Sequence, residues 1–130
     1  MWLKIDDRFP EHRKIRRLND AAYRLHHEAM CAIARDETDG VISADDLHDL
    51  PHAPRLMRVV RELVAAGLWH PAGHTCDRCP QPPDRGFVIH DWLDYNESHA
   101  AQRKRRDLAK ERQRRYRARA RDPALPLTPM

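Results

Sequence analysis

Apolar residues recur at helical spacing in two stretches of the first 70 residues. The first stretch begins at Asn19 or Asp20, either of which can cap a helix, and it ends at Gly40. The second runs from Arg55 to a stop at Gly67. Two amphipathic helices are therefore predicted. Their inner faces consist of Ala22, Leu25, Ala29 and Ile33 in the first and of Leu56, Val59, Val60, Leu63 and Val64 in the second.

Shorter runs around these helices predict strands and turns. "WLKID" alternates apolar and polar residues before Pro10 and predicts a first strand, and "DGVIS" predicts a turn and a two-residue strand. "SADDLHDL" predicts a short helix capped by Ser43, and "GLWH" and "GFVIHDWL" predict a hairpin. The expected fold class is mainly α with a small β-hairpin (α+β), in the element order of a winged helix-turn-helix.

A second kind of segment follows the hairpin. "NESHAAQRKRRDLAKERQRRYRARARD" has no Gly or Pro before Pro123 and predicts a long basic C-terminal helix, with Asn96 or Ser98 as its cap. The expected organisation is a winged-helix domain over 1–96 with its wing at 70–86, an arginine-rich helix over 97–121 and a disordered tail over 122–130.

Charge is divided unevenly along the chain. Residues 1–99 carry 13 Lys and Arg against 17 Asp and Glu, a net charge of −4, whereas residues 100–130 carry 11 against 3, a net charge of +8. The basic segment therefore predicts a polyanionic partner, with double-stranded DNA preferred and RNA left open. A membrane surface is disfavoured because the segment has no apolar face. The candidate contacts are Arg103, Lys104, Arg105, Arg106, Lys110, Arg112, Arg114 and Arg115.

Three arginines also recur along the outer side of the second predicted helix. Arg55, Arg58 and Arg61 are spaced three residues apart. If this helix enters the major groove of DNA, these side chains can reach guanine edges or phosphates. The alternative is surface pairing with nearby acidic residues, namely Asp45, Asp46, Asp49 and Glu62.

The wing contains four candidate metal ligands. His70, His74, Cys76 and Cys79 form an HxxxHxCxxC pattern that predicts a structural zinc site, with His90 as the alternative fourth ligand. His70 is preferred because a hairpin closed around 71–86 is expected to leave His90 about 10 Å further from the loop. Two other interpretations stay open, a redox CxxC and a proline-rich surface loop without metal.

Other features bear on compartment and chemistry. Three cysteines and the lack of a long apolar run predict a soluble protein of a reducing compartment without a disulfide framework. With DNA as the expected partner, the expected localisation is cytoplasmic and nucleoid-associated. Cys31 is expected to be a small buried side chain of the first helix, and His26 is expected on its flank. An enzyme is not expected, because neither a phosphate-binding loop nor a nucleophile motif occurs, and His90 and Asp91 would point to opposite faces of a strand.

The strings "KIDDRFPEH" and "IHDWLDYN", with "DGVI" and "LVAAGLWH" between them, resemble small winged-helix proteins of actinobacterial phages and mobile elements. Those proteins are similar to the N-terminal domain of phage replisome organisers. The resemblance covers about residues 2–96 and implies a DNA-binding protein acting in transcriptional control or replication initiation. The alternative function is an adaptor that binds a host protein through the winged helix and uses the basic tail as a nucleic-acid anchor.

Overall fold

The computed structural model describes residues 2–50, 55–95 and 99–121. The chain divides into two compact units, Met1–Glu97 and Ser98–Met130, and each is described by itself. The described residues form a mixed α+β structure that is mostly helical.

The first unit begins with a short 3-10 helix, Phe9–Glu11, and continues through five α-helices and three strands. In chain order these are α1 (Arg13–Arg16), α2 (Asp20–Asp36), β1 (Val41–Ile42), α3 (Ala44–His48), α4 (Leu56–Ala65), β2 (Trp69–Pro71), β3 (Phe87–Ile89) and α5 (Trp92–Tyr95). The second unit contains α6 (His99–Arg121).

Side-chain caps start α2 and α3 where the sequence predicts them. The Asn19 side chain accepts a hydrogen bond from the backbone N–H of Ala22 at 2.8 Å. Ser43 accepts one from the N–H of Asp46 at 3.2 Å. Each cap satisfies a backbone donor that has no partner within the helix, so both predicted helix starts are confirmed.

The three strands form one antiparallel sheet in the order β1-β3-β2. Val41 pairs with Val88 on one side of β3, and His70 pairs with Val88 on the other. The predicted hairpin and the two-residue strand are therefore confirmed.

The predicted first strand at residues 2–6 is wrong. These residues join no sheet, and the Trp2 side chain is 91% exposed. Leu3 packs partly against the core, whereas Ile5 is exposed. A segment with an alternating pattern forms a strand only where a sheet edge is available to pair with it. The alternation within these five residues carries no information about such an edge.

The core lies between α2, α4 and the sheet. Its fully buried members include Leu63 of α4 and Trp69 of β2. The inner faces predicted for both helices are buried, with Val64 partly so. This packing fixes β2 against α2 and so positions His70, the next residue along β2.

Two side chains of α2 depart from expectation. His26 is 3% exposed. The indole Nε1 of Trp69 donates a 2.9 Å hydrogen bond to Nδ1 of His26, and this bond compensates for the burial of the polar ring. Burial lowers the pKa of His26 to about 4, with a smaller contribution from His27, so the ring is neutral near pH 7. Cys31, expected to be buried, is exposed, because it lies on the outer flank of the helix.

Candidate metal centre

Two histidines and two cysteines converge at the base of the loop between β2 and β3. The ligand atoms of His70, Cys76, Cys79 and His90 all lie within 4.8 Å of one another. His70 Nε2 is 2.9 Å from His90 Nδ1, and the two Sγ atoms are 3.7 Å apart. His90 Nδ1 is 3.4 Å from the Sγ of Cys79 and 3.8 Å from that of Cys76. Four such donors around a common point form a group that can hold a metal ion.

The strand register brings the two histidines together. His70 is paired with Val88, so His90 lies two positions beyond the partner of His70 and on the same side of the hairpin. The backbone N–H of His90 also donates to the carbonyl of Leu68 at 2.8 Å, which holds the chain beside β2 after β3 ends. The expected separation of about 10 Å is therefore wrong. His70 and His90 are both members of the group rather than alternatives.

His74 does not belong to the group. Its Nδ1 accepts a hydrogen bond from the N–H of Cys76 at 3.1 Å, and its Nε2 is 2.9 Å from the carbonyl oxygen of Pro80. Both ring nitrogens thus make contacts within the loop. The group that the structure brings together therefore contains His90 where the sequence analysis predicted His74, whose two ring nitrogens contact neighbours within the loop.

A second residue fixes the same loop. The Gln81 side chain accepts from the N–H of Gly73 at 2.8 Å and donates to the carbonyl of His74 at 2.7 Å. The loop therefore has ordered polar contacts of its own, and these place Cys76 and Cys79 next to the two strands.

The pKa values of two members of the group, His70 and Cys79, are shifted toward their uncharged forms. Burial lowers the pKa of His70, and His90, His74 and Lys14 lower it further. Burial is also the largest cause of the raised pKa of Cys79. A metal cation reverses the preference at the thiols, because thiolate is the form that coordinates. Metal binding at this group is therefore coupled to the release of protons.

His90 and Asp91 are in contact, contrary to expectation. His90 Nε2 lies 3.0 Å from Asp91 Oδ2. The expectation assumed a continuing strand, but β3 ends at Ile89 and Asp91 has a φ of 58°, so the alternation of faces no longer applies. Sequence reasoning missed Asp91 for this reason. A signal was available, since aspartate tolerates a positive φ better than most residues.

The arginines of α4 lie on its solvent side. Arg58 and Arg61 are exposed, while the opposite face of the helix is buried. Arg55, expected on the same helical face, is also exposed, but it precedes the helix as its N-cap with a φ of 59°, so its predicted place on the helix is wrong. Within the described part of the chain none of the three forms an ion pair. Glu62, one of their alternative partners, instead accepts a 2.6 Å hydrogen bond from Asn19.

All the candidate contacts of the basic segment fall within α6. The eight residues from Arg103 to Arg115 named above are exposed, and Arg115 is paired with Glu111 at 2.6 Å. The predicted caps, Asn96 and Ser98, and the predicted tail at 122–130 lie outside the described residues.

Over the described ranges, none of the helices combines the length and the apolar character needed to cross a membrane. Comparison with known proteins found no matching family model, no matching curated protein and no matching solved structure. The features of this chain that bear on function are its fold and the His/Cys group.

Proposed function

We propose that this protein is a DNA-binding winged helix whose wing is held by a structural zinc ion and whose basic helix α6 adds sequence-independent affinity. The observation that carries the proposal is the order of elements, α2-β1-α3-α4-β2-β3, combined with the sheet order β1-β3-β2. In a winged helix the second and third helices form a helix-turn-helix, and the loop between the last two strands is the wing. Here those helices are α3 and α4, and the wing is the loop between β2 and β3.

The outer face of α4 supports its assignment as the recognition helix. Arg58 and Arg61 project from the side opposite the buried residues, and Met57 beside them is 46% exposed. Arginine is the side chain best suited to guanine edges in the major groove, and an apolar side chain can contact a thymine methyl group. Because these arginines form no ion pair within the described ranges, no such pair has to be broken before they contact DNA.

Zinc is the metal that best fits the donor set and its spacing. A tetrahedron with Zn–N of about 2.0 Å and Zn–S of about 2.3 Å has edges of about 3.3 Å between nitrogens, about 3.5 Å between nitrogen and sulfur and about 3.8 Å between sulfurs. The corresponding distances here are 2.9 Å, 3.4 and 3.8 Å, and 3.7 Å. With four protein ligands the tetrahedron is complete, so the proposed role of the ion is structural rather than catalytic.

The proposed role of α6 is electrostatic. Between Arg103 and Arg121 the helix carries 11 basic residues, and its described side chains are almost all exposed. Contacts from such a helix to phosphates release counterions and add affinity without reading the sequence. The resemblance to phage and mobile-element proteins extends the proposal to transcriptional control or replication initiation at the bound site.

The negative charge of residues 1–99 favours a second candidate, an adaptor that binds a host protein through the winged helix. In that case α6 alone would attract nucleic acid. The adaptor and the DNA reader differ in whether α4 contributes to DNA binding.

A salt titration of binding to a random DNA duplex tests the proposal. Full-length protein is compared with the triple variant Arg112→Gln, Arg114→Gln and Arg115→Gln, and with Arg58→Ala, Arg61→Ala. The α6 variant is expected to reduce the slope of log K against log salt by up to about three, and the α4 variant by up to about two. An α4 variant that binds like the wild type at every salt concentration favours the adaptor.

A further inference from the structure

Asp91 touches two of the four members of the metal group. Its Oδ2 is 3.0 Å from Nε2 of His90, and its backbone N–H donates a hydrogen bond to the Sγ of Cys79. The residue lies in the left-handed region, with φ 58°, between the end of β3 and the start of α5. This backbone conformation turns its side chain back toward His90 and its N–H toward Cys79.

The contact to His90 determines which ring nitrogen faces the centre. A carboxylate accepts hydrogen bonds, so when Nε2 donates to Asp91, the nitrogen left to bind a metal is Nδ1. That Nδ1 is the atom that faces both sulfurs. The backbone N–H of Asp91 contacts Cys79, so a single residue reaches one histidine and one cysteine of the group.

Arg78 joins this arrangement from the wing loop, where it stands between the two cysteines in sequence. Its Nη2 is 2.7 Å from Oδ2 of Asp94, in α5, and 3.6 Å from Oδ1 of Asp91. Oδ1 of Asp91 is buried and has no hydrogen-bond partner among the described residues, so the nearby guanidinium helps to offset the charge of this oxygen. The loop is thereby held to α5 at the point where the ligands converge.

We infer that Asp91 is the positioning residue of the metal centre, orienting His90 to bind through Nδ1, and that Arg78 supports it by holding the wing loop to α5. The inference rests on the proposed zinc binding. Carboxylates that accept the second N–H of a metal-bound histidine fix its tautomer and raise its basicity, and their loss lowers metal affinity about 10- to 100-fold.

Competition for zinc between the full-length protein and a chromophoric chelator tests the inference. Asp91→Ala is expected to weaken zinc binding about 10- to 100-fold. Asp91→Asn is expected to lose less, because its amide oxygen still accepts from His90, and Arg78→Ala is expected to lose less than Asp91→Ala. Asp77→Ala is the matched control, since it removes a carboxylate from an exposed position of the same loop and is expected to change nothing.

Identifying the ring nitrogen of His90 that binds the metal distinguishes a positioning role of Asp91 from a general loss of folding. In the zinc-bound wild type, ¹⁵N NMR of the histidine ring is expected to show His90 with a metal-bound Nδ1 and a protonated Nε2. In Asp91→Ala, His90 is expected to lose this single state, while far-UV circular dichroism stays at the wild-type level. Binding through Nε2 in the wild type, or an Asp91→Ala affinity within twofold of the wild type, overturns the inference. A wild type that binds no zinc instead overturns the proposed metal centre itself.

Discussion

His70 and His90 place Nε2 and Nδ1 within 2.9 Å of each other although twenty residues separate them in the chain. The pairing of His70 with Val88 causes this proximity, because it sets His90 on the same side of the hairpin. The two cysteines then approach from the wing loop. A metal ion bound here would join both strands to the loop, which otherwise has little apolar content to order it.

The exchange of His74 for His90 in the ligand group predicts different effects for the two histidines. His90→Ala is expected to lower zinc affinity by more than about 100-fold, beyond the effect of an outer-shell partner. His74→Ala keeps all four ligands and is expected to lower it by only a few-fold, since it loses hydrogen bonds of the loop. Zinc content after dialysis against a chelator distinguishes them, and equal losses in the two variants would contradict the assignment.

The buried histidine of α2 predicts a pH dependence of stability. The pKa of His26 is about 4 in the folded protein and near 6.5 when unfolded, so below pH 6.5 the unfolded state binds the extra proton. The contribution of the neutral His26 ring to the free energy of unfolding is fully present above pH 6.5 and falls as the pH drops toward 4. The loss amounts to about 3 kcal/mol at most.

Denaturant titrations between pH 4 and 7 measure this effect. The difference in unfolding free energy between wild type and His26→Gln should shrink as the pH falls, whereas His27→Gln, which alters an exposed neighbour, should track the wild type. A pH-independent difference for His26→Gln would show that protonation of this ring does not oppose folding.

The buried and exposed sides of α4 predict losses of stability of different size when a side chain is truncated. Leu63 is fully buried, so Leu63→Ala is expected to destabilise the fold by about 2–5 kcal/mol. Met57→Ala removes a side chain of similar size from the solvent side and is expected to change stability by less than about 0.5 kcal/mol. Unfolding by urea checks both, and a large effect of Met57→Ala would mean that this face is packed.

Two glycines with positive φ predict how much stability depends on the close approach of Gly40, just before β1, to Trp92 of α5. At Gly73, with φ +83°, an added Cβ meets nothing within 4 Å, so Gly73→Ala is expected to cost about 1–2 kcal/mol from the backbone alone. At Gly40, with φ +91°, the Cβ would lie 2.7 Å from Cβ of Trp92. Gly40→Ala is therefore expected to cost about 1–3 kcal/mol more, and similar values for the two variants would show that no clash occurs.

Local signals predicted most of the helices and strands. Asn19 and Ser43 cap where their side chains and the following apolar residues indicate, and the inner face of α4 follows from its spacing alone. Such features depend on neighbours within one or two turns, which the sequence places directly. Residues 2–6 show the limit, because a strand also needs an edge to pair with.

The candidate site was predicted only in part, because its geometry depends on contacts distant in sequence. Cys76, Cys79 and His70 are close in the chain and were identified from their spacing. The choice between His70 and His90 as the fourth ligand depended on the hairpin register, which brings both into the group, and a shift of one residue changes the face of every side chain. The burial of His26 likewise depends on Trp69, which lies 43 residues further along.

Selection of bound sequences from a random pool of DNA duplexes tests whether α4 reads DNA. Full-length protein is compared with Arg58→Ala, Arg61→Ala and with Arg24→Ala, which alters an exposed arginine of α2. Wild type and Arg24→Ala are expected to enrich the same guanine-containing motif, whereas the α4 variant is expected to retain affinity but to enrich none. Enrichment of that motif by the α4 variant, or of no motif by the wild type, would contradict the reading of DNA by α4.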